Sequence, residues 1–294
     1  MITGTTKLLG VIGYPIAHSL SPVMHNSAIG HLGMDYVYLP LPVKPENLSQ
    51  AIEGFRAIDL QGFNVTIPHK QAILPLLTEV SAIAHAVGAV NTVWWTGHHW
   101  AGTNTDVAGF VAPLKAGERD WSQATAVVLG NGGAARAVVV GCQHLGFANI
   151  HVVGRDRQKL HAFQSSWLPG NDSGQTESTC VPVPFIHTWE ALPHLLPQAD
   201  LLVNTTPIGM HPHDRASPLD ATLVALLSAR ITVYDLIYTP RPTQLLHQAQ
   251  AQGAAALDGL EMLIHQGGAA LQLWLQHPAP IEVMRQSLLD YLQL

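Results

Sequence analysis

One stretch decides the fold of half the chain: Val127-Val128-Leu129-Gly130-Asn131-Gly132-Gly133-Ala134-Ala135. It places a G-x-G-x-x-A pattern between a short apolar run and a helical pattern. Gly130 allows a tight turn, Gly132 lets the backbone approach a pyrophosphate, and Ala135 lets helix and strand pack closely. The amides at the start of the helix then face the phosphates. Because a second strand follows at the right spacing, we interpret the stretch as a dinucleotide-binding loop rather than a purely structural turn.

The end of that second strand distinguishes NADP from NAD. NAD sites usually carry an acidic residue there, which binds the ribose 2′-hydroxyl. This chain instead has Gly154-Arg155-Asp156-Arg157, with Lys159 close behind. The two arginines can pair with a 2′-phosphate through charge-assisted hydrogen bonds, which favours NADP. The alternatives are a solvated charged turn and, because Asp156 could bind the ribose, an NAD site.

Outward from this loop, apolar runs alternate with helical patterns, as is typical of α/β proteins with mostly parallel sheets. The predicted strands are residues 8–14, 36–41, 62–67, 126–129, 150–153, 201–203 and 232–236, with a hairpin at 92–96 and 99–102. The predicted helices are residues 21–33, 45–58, 71–87, 107–114 and one from the glycine cluster to about 145. In the first of these, Ser21 is the predicted N-cap, Pro22 follows it, and Gly33 is the predicted C-cap. The C-terminus is predicted to be helical from about residue 257, with an interruption at Gly267-Gly268. Residues 170–179 form a predicted surface loop. The 294 residues therefore predict two α/β units joined near residue 107.

Composition narrows the classes of protein to which the chain can belong. A net charge of -6 without a basic run argues against a nucleic-acid surface. Cys142 and Cys180 are far apart, so we expect two small buried hydrophobic residues and no disulfide. No signal-peptide pattern or bilayer-length apolar run is present, which predicts a cytoplasmic protein. The 17 histidines show no zinc-ligand spacing, so we expect solvated loop histidines at 98–99 and 211–213 and no metal.

Four further segments carry polar residues at strand ends or helix starts, where open α/β sheets bind ligands. They are residues 19–22 (Ser-Leu-Ser-Pro), 64–70 (Asn-Val-Thr-Ile-Pro-His-Lys), 88–92 (Gly-Ala-Val-Asn-Thr) and 103–106 (Thr-Asn-Thr-Asp). Lysine is scarce in this chain, which makes Lys70 in a strand-to-helix turn notable. Taken alone, Lys70 could be an ordinary surface lysine and Asp106 a helix N-cap.

Together, these segments resemble in wording and order those of shikimate dehydrogenases. The resemblance continues through the glycine-rich loop to residues 204–210 (Asn-Thr-Thr-Pro-Ile-Gly-Met), 234–238 (Tyr-Asp-Leu-Ile-Tyr) and 259–263 (Gly-Leu-Glu-Met-Leu), leading to Gln266. It runs from about residue 9 to residue 274, and its one long unmatched block is 170–179. The resemblance implies reversible NADPH-dependent reduction of 3-dehydroshikimate to shikimate, a step of aromatic amino acid biosynthesis.

The resemblance also implies roles for individual residues. Lys70 and Asp106 match the family's catalytic pair, which also contacts the substrate. The family's other substrate ligands are matched by Ser19, Ser21, Thr66, Asn91, Tyr238 and Gln266. Its cofactor segments are matched by Gly130, Asn131, Gly132, Gly133 and Ala134 at the pyrophosphate, by Gly154, Arg155, Asp156, Arg157 and Lys159 at the 2′-phosphate, and by Leu236 and Gly259 at the nicotinamide. The implied domains are a substrate-binding catalytic domain, 1–106 completed by helices in 258–294, and a Rossmann NADP-binding domain, 107–257.

Elementary chemistry agrees with these roles. Hydride transfer to a ring ketone leaves negative charge on its oxygen, so a cation or an acid must meet that oxygen. Lys70 can do so by hydrogen bonding and proton transfer, and Asp106 can orient both Lys70 and the reacting hydroxyl. Lys70 replaces a Lewis-acid metal in this scheme. We therefore expect the Lys70 amine and the Asp106 carboxylate to point to the same face of the first domain.

Two departures from the family pattern keep alternatives open. Gly154-Arg155-Asp156 stands where the family usually has Asn-Arg-Thr, so a quinate/shikimate dehydrogenase using NAD or both cofactors is an alternative. Ala82 replaces a frequent acidic residue before Asn91, so we assign no cofactor role there. A non-catalytic nucleotide sensor is a remoter alternative that leaves the Lys70 and Asp106 pair unexplained. The expected partner is the small-molecule substrate. A homodimer is left open, and neither nucleic acid nor a membrane is expected.

Overall fold

The computed structural model describes residues 2–117, 119–167 and 183–293. The chain divides into two compact units, the first made of Met1–Ala112 with Glu261–Leu294 and the second of Pro113–Leu260. Each unit is built on a six-stranded sheet with helices, so the predicted α/β class is confirmed. The predicted loop 170–179 and Cys180 lie outside the described residues, whereas Cys142 is buried as predicted.

The first unit has a mixed sheet whose polar segments meet at one edge. Its strands are β1 (Lys7–Gly13), β2 (Tyr36–Pro42), β3 (Leu60–Val65), β4 (Glu79–Val80), β5 (Thr92–Trp95) and β6 (Trp100–Thr103), in the order β2-β1-β3-β5-β6-β4. Its helices are α1 (Ser21–His31), α2 (Leu48–Ala57), α3 (Ala82–Val87) and α4 (Asp106–Ala116), the last of which continues past the unit boundary. Because β5 is antiparallel to β3 and β6, its first residue lies beside the last residues of those strands. The sheet rests on a buried apolar cluster that includes Ile12, Phe63 and Trp100.

Helix α1 corrects both predicted caps, since its C-cap is Leu32 and the predicted Gly33 follows it. Its N-cap is Leu20, and Ser21 is already the first helical residue. The Ser21 hydroxyl is therefore left for another partner. At the other end, Gly33 has a φ of 64°, and the amides of Gly33 and Met34 bond Gly30 and Ile29 carbonyls. This is the Schellman arrangement, for which glycine is favoured because it has no Cβ.

The helix predicted over residues 71–87 is wrong. The segment instead forms a 3₁₀ turn at Leu74–Leu76, strand β4, and the short helix α3. Pro75 has no amide hydrogen to donate to the carbonyl four residues earlier, which disfavours a helix through its position. Ser81 then caps α3 by accepting a hydrogen bond from the Ala84 amide, while β4 pairs with β6. An apolar helical periodicity had masked these interruptions.

The second unit is a parallel, doubly wound sheet. Its strands are β7 (Thr125–Leu129), β8 (Asn149–Gly154), β9 (Phe185–Thr188), β10 (Leu201–Asn204), β11 (Thr232–Asp235) and β12 (Ala255–Leu257). Its helices are α5 (Gly133–His144), α6 (Arg157–Ser165), α7 (Leu192–Leu195), α8 (Ala221–Val224) and α9 (Gln244–Ala251). The strand order is β12-β11-β10-β7-β8-β9. The order reverses between β7 and β10, which is where Rossmann sheets bind dinucleotides. The two edge strands, β9 and β12, are short and were not predicted.

The C-terminal helices are α10 (Leu260–Leu275) and α11 (Ile281–Leu292). The predicted interruption at Gly267-Gly268 is wrong, since α10 runs through both glycines and ends near Gln276, whose φ is 51°. A Cβ at Gly267 would collide with the Met24 side chain, and one at Gly109 would lie 2.6 Å from the Met262 carbonyl oxygen. These glycines therefore serve the close packing of α10 within the first unit.

Metal-binding clusters and membrane-spanning helices are both absent from the described ranges. No group of three or more His, Cys, Asp and Glu side chains there could hold a metal ion. No helix there has the length and apolar character needed to cross a membrane.

Candidate active site

Lys70 and Asp106 form an ion pair at the polar edge of the first sheet. The Lys70 Nζ atom lies 2.5 Å from Asp106 Oδ2, and the two side chains are 19% and 8% exposed. Lys70 follows β3 and is held there because its carbonyl accepts the Val90 amide at 2.8 Å. Asp106 is the first residue of α4, and its carboxylate is bonded to side chains of other segments. The pair therefore points to one face, as expected, and remains accessible on the lysine side.

Asn91 holds the second oxygen of that carboxylate. Its Nδ2 donates to Asp106 Oδ1 at 2.7 Å and lies 3.3 Å from Gln266 Oε1. Its Oδ1 accepts the Thr105 amide at 2.7 Å, which fixes which end of the side-chain amide faces Asp106. Asn91 is almost fully buried. The carboxylate thus has a lysine on one oxygen and an amide donor on the other.

The β5–β6 hairpin explains why these segments meet. The Asn91 amide donates to the Thr103 carbonyl at 3.1 Å, so the residue before β5 lies beside the end of β6. Asn104 then bridges the two segments, accepting the Asp106 amide at 3.0 Å and donating to the Ala89 carbonyl at 3.0 Å. The start of α4 is therefore fixed by buried hydrogen bonds rather than by packing alone.

The other predicted substrate ligands lie in separate segments of the chain. Ser19 accepts the Ser21 amide at 3.3 Å, and Ser21 is buried against Tyr38, whose phenol it hydrogen-bonds. Thr66 follows β3, half-buried, with its amide bonded to the Ile12 carbonyl at 2.9 Å. Tyr238 follows β11 and belongs to the second unit.

The glycine-rich loop of the second unit fits a pyrophosphate. Gly130 has a φ of 105°, and a Cβ there would lie 2.6 Å from Thr205 Oγ1, so the fold itself requires glycine. Gly132 has an ordinary extended φ of -90°, and a Cβ there would meet nothing within 4 Å. Glycine at 132 is thus not explained by the protein's own packing. No side chain caps α5 within the described residues, which leaves its first amides for an anion such as a phosphate.

Basic side chains follow β8, where a 2′-phosphate is predicted to bind. Arg155, Arg157 and Lys159 are all exposed. Asp156 caps α6, since its Oδ1 accepts the Gln158 and Lys159 amides at 2.9 and 3.1 Å. This carboxylate therefore has a structural role that the sequence interpretation did not assign.

A buried polar cluster supports the segment predicted to meet the nicotinamide. Asp235 is fully buried at the end of β11 and accepts hydrogen bonds from Asn204 at 3.0 Å and Thr243 at 2.7 Å. Burial raises the pKa of Asp235 to about 6. Beyond it, a Cβ at Gly259 would collide with the Leu236 carbonyl. The two backbones predicted to approach the nicotinamide therefore touch each other.

Comparison with known proteins decides the family. Residues 11–93 match the shikimate dehydrogenase substrate binding domain, and residues 259–289 match the shikimate 5′-dehydrogenase C-terminal domain. A relative from Trichormus variabilis (strain ATCC 29413 / PCC 7937), named shikimate dehydrogenase (NADP(+)), is 59% identical over 296 residues and is matched over 100% of both chains. The chain belongs to the shikimate dehydrogenase family. The resemblance inferred from the sequence is thus confirmed.

Solved shikimate dehydrogenases share this fold. One, in complex with NADP+, is 36% identical with a TM-score of 0.88, and the match covers 99% of this chain and 97% of that one. Another, from Thermus thermophilus in complex with NADP(H) and shikimate, is 33% identical with a TM-score of 0.82, covering 96% and 98%. The predicted fold, a Rossmann-type sheet with a second α/β domain, is therefore that of the shikimate dehydrogenase family.

Sequence reasoning missed a layer of residues behind this shikimate dehydrogenase site. The Tyr38 hydroxyl donates to Asn64 Oδ1 at 2.7 Å, and Asn64 Nδ2 lies 3.1 Å from both the Asn91 carbonyl and Thr92 Oγ1. Asn64 lies within a segment already singled out, so its polarity in a buried strand was an available signal. Tyr38 gives no such signal, because an aromatic residue in a strand is what a core position predicts.

Proposed function

We propose that this chain catalyses the reversible reduction of 3-dehydroshikimate to shikimate with NADPH. Family membership fixes the reaction class, and one observation carries the assignment of its chemistry. Lys70 Nζ lies 2.5 Å from an Asp106 carboxylate that Asn91 holds by its other oxygen. This arrangement offers a cation to a developing alkoxide and a fixed carboxylate that keeps the cation in place.

Lys70, Asp106 and Asn91 then each have a defined role in the reaction. Bound NADPH supplies the hydride. Lys70 donates a hydrogen bond and a proton to the ketone oxygen, and in the reverse direction it accepts the hydroxyl proton. Asp106 orients the Lys70 amine and is proposed to contact the reacting hydroxyl as well. Asn91 keeps the carboxylate from rotating away, since its own amide is fixed by the Thr105 backbone.

The substrate ligands are proposed from chemistry and from their places in the first unit. Ser19, Ser21 and Thr66 supply neutral hydroxyls, and Asn91 and Gln266 supply amides, which suit a ring with several hydroxyls and one carboxylate. Tyr238 is a further proposed ligand from the second unit. The first unit is thereby proposed as the substrate-binding catalytic domain.

The second unit is proposed to bind NADP. Residues 130–134 and the uncapped start of α5 would hold the pyrophosphate, and Leu236 and Gly259 the nicotinamide. Arg155, with Gly154, Arg157 and Lys159 beside it, would hold the 2′-phosphate, since exposed guanidinium groups there can form forked hydrogen bonds. Asp156 is proposed to border the ribose while its Oδ1 caps α6. That capping weakens the argument that Asp156 selects NAD.

The direct test is the loss of NADPH absorbance when 3-dehydroshikimate is added to the purified chain. Parallel assays with NAD and with quinate separate the proposed enzyme from a quinate/shikimate dehydrogenase with dual cofactor use. Binding of NADPH without turnover of any of these compounds would identify the third alternative, a nucleotide sensor.

Assembly and location can each be tested separately. Lys70, Asp106, Asn91 and Gln266 come from one chain, so a homodimer is not needed to assemble this part of the site. Sedimentation of the purified chain measures whether the homodimer forms. We further propose a cytoplasmic enzyme without nucleic-acid or membrane partners, which fractionation of the source cells tests.

A further inference from the structure

A series of buried hydrogen bonds lies behind the Lys70–Asp106 pair, with Tyr38 at its start. Tyr38 is fully buried on β2, and its hydroxyl donates to Asn64 Oδ1 at 2.7 Å. The Ser21 side chain hydrogen-bonds the same phenol. Burial raises the pKa of Tyr38 well above its ordinary value, so the phenol keeps its proton. One hydroxyl thus joins α1 to β3.

The later hydrogen bonds run in the same direction as that first one. Because Asn64 Oδ1 accepts the phenol proton, Asn64 Nδ2 faces the other way and donates to Thr92 Oγ1 at 3.1 Å. Thr92 Oγ1 can then donate to Asn91 Oδ1 at 3.0 Å. Asn91 Oδ1 also accepts the Thr105 amide at 2.7 Å, and its Nδ2 faces Asp106 Oδ1 at 2.7 Å. Hydrogen bonds arranged head to tail polarise one another, so each strengthens the next.

Packing holds the phenol ring at this point. The His25 ring stacks on Tyr38 with centroids 4.2 Å apart, and Trp274 lies at 6.0 Å. Neither ring nitrogen of His25 has a hydrogen-bond partner among the described residues, and burial lowers the pKa of His25 to about 3. His25 is therefore a neutral, flat surface against the phenol. Trp274 is itself fixed by donating to the Val93 carbonyl at 2.9 Å.

We propose that Tyr38 is a positioning residue that orients Ser21 at one end and the Asn91–Asp106 hydrogen bond at the other. The proposal rests on the proposed function, in which Ser21 binds substrate and Asp106 orients Lys70. Loss of the Tyr38 hydroxyl leaves Ser21 without its acceptor, which weakens substrate binding. It also leaves the buried Asn64 Oδ1 without its donor, which weakens the contacts of Asn64 with the Asn91 carbonyl and Thr92 Oγ1, loosens the hold of Asn91 on Asp106 and slows the chemical step.

The test compares Tyr38→Phe with the wild-type chain, using shikimate and NADP+. We expect the KM for shikimate to rise and kcat to fall, each on the order of tenfold, which corresponds to the loss of about one hydrogen bond. The KM for NADP+ is expected to stay unchanged. Tyr36→Phe is the matched control, because it makes the same chemical change on the same strand outside the network. A merely structural role for Tyr38 would lower the amount of active protein without changing the KM for shikimate.

Double substitutions test whether the two ends act through Tyr38. Ser21→Ala and Tyr38→Phe should be non-additive in the KM for shikimate, because both remove one hydrogen bond. Thr92→Val keeps the strand-favouring shape and should lower kcat alone. If Tyr38→Phe does not fold, Asn64→Leu replaces it, because it removes the acceptor of the Tyr38 hydroxyl. A lowered kcat then supports the proposal, and an unchanged kcat overturns it.

Failure of this inference can be told apart from failure of the proposed function. A wild-type chain that does not oxidise shikimate with NADP+ overturns the proposed function, and this inference with it. A wild-type chain that does so, together with an unchanged KM for shikimate in Tyr38→Phe, overturns the positioning role alone.

Discussion

The two units build their proposed binding regions by different means. In the first, Lys70, Asp106 and Asn91 bond one another and are backed by further buried side chains. In the second, the loop before α5 presents backbone amides, open space around Gly132 and exposed cations beyond β8. A network bonded within itself fixes reacting groups before substrate arrives, whereas a backbone loop binds by shape and charge. Substitutions in the first region should therefore change kcat, and those in the second should change cofactor affinity.

Lys70→Ala is the strongest test of the first half of this comparison. We expect kcat to fall about 10³-fold or more, because the charge on the ketone oxygen loses its cation and its proton donor. NADPH affinity, measured by fluorescence titration, should remain close to that of the wild type. Lys44→Ala, which removes an exposed lysine of the same unit, serves as the control and should keep its kcat. A Lys70→Ala enzyme with wild-type kcat would refute the assigned role.

The second unit also contains one buried side-chain cluster, around Asp235, and Asp235→Asn tests it. Burial raises the pKa of Asp235 from 3.8 to about 6. Between pH 3.8 and about pH 6, the unfolded chain has released the Asp235 proton while the folded chain still holds it. The free energy of unfolding therefore falls as the pH rises through this range, and it levels off above about pH 6. The loss amounts to about 3 kcal/mol at neutral pH. An amide does not titrate, so the variant should not show this fall.

Urea unfolding of wild type and variant, across the pH range from about 4 to 7, measures this difference. Asp220→Asn is the matched control, because Asp220 caps α8 and asparagine caps a helix equally well. Parallel pH dependence in the wild type and Asp235→Asn would show that Asp235 is not the titrating group.

The same contrast explains what the sequence could and could not predict. The loop at Gly130 was predictable because strand, glycines and helix are adjacent in the chain, and local geometry requires them. The helix predicted over 71–87 does not form, because Pro75 disfavours it and the following residues pair with β6 as strand β4. The predicted break at Gly267-Gly268 does not occur, because Gly267 serves packing against Met24 of the distant helix α1 and Gly268 serves packing against Ile281 of α11. Tyr38 could not be predicted at all, since its role depends on a contact with Asn64 that only the folded sheet creates.

Two glycines of the loop before α5 test whether the second unit binds its cofactor through open space around the backbone. Gly132→Ala adds a Cβ where the protein has open space, so stability should be unchanged while NADP affinity falls by about 2 kcal/mol, the usual cost of overpacking by a methyl group. Gly130→Ala should instead lower the melting temperature, because its φ of 105° and the nearby Thr205 leave no room for a side chain. Calorimetric titration with NADP+ and thermal unfolding separate the two effects. Equal loss of stability in both variants would mean that Gly132 serves the fold rather than a ligand.

The smallest effect is expected from Arg155→Ala. Its exposed guanidinium is proposed to bind a group that only NADP carries, so its removal should raise the KM for NADP by about tenfold, which corresponds to about 1.4 kcal/mol. The KM for NAD should not change, and neither should kcat with saturating NADP, because the Lys70 site is built from other residues. Arg56→Ala, an exposed arginine of the first unit, controls for a general effect of lost positive charge. Steady-state assays with both cofactors on both variants decide the question. An equal rise in KM for NADP and NAD would show that Arg155 does not bind the 2′-phosphate, and selectivity would then have to come from Arg157 or Lys159.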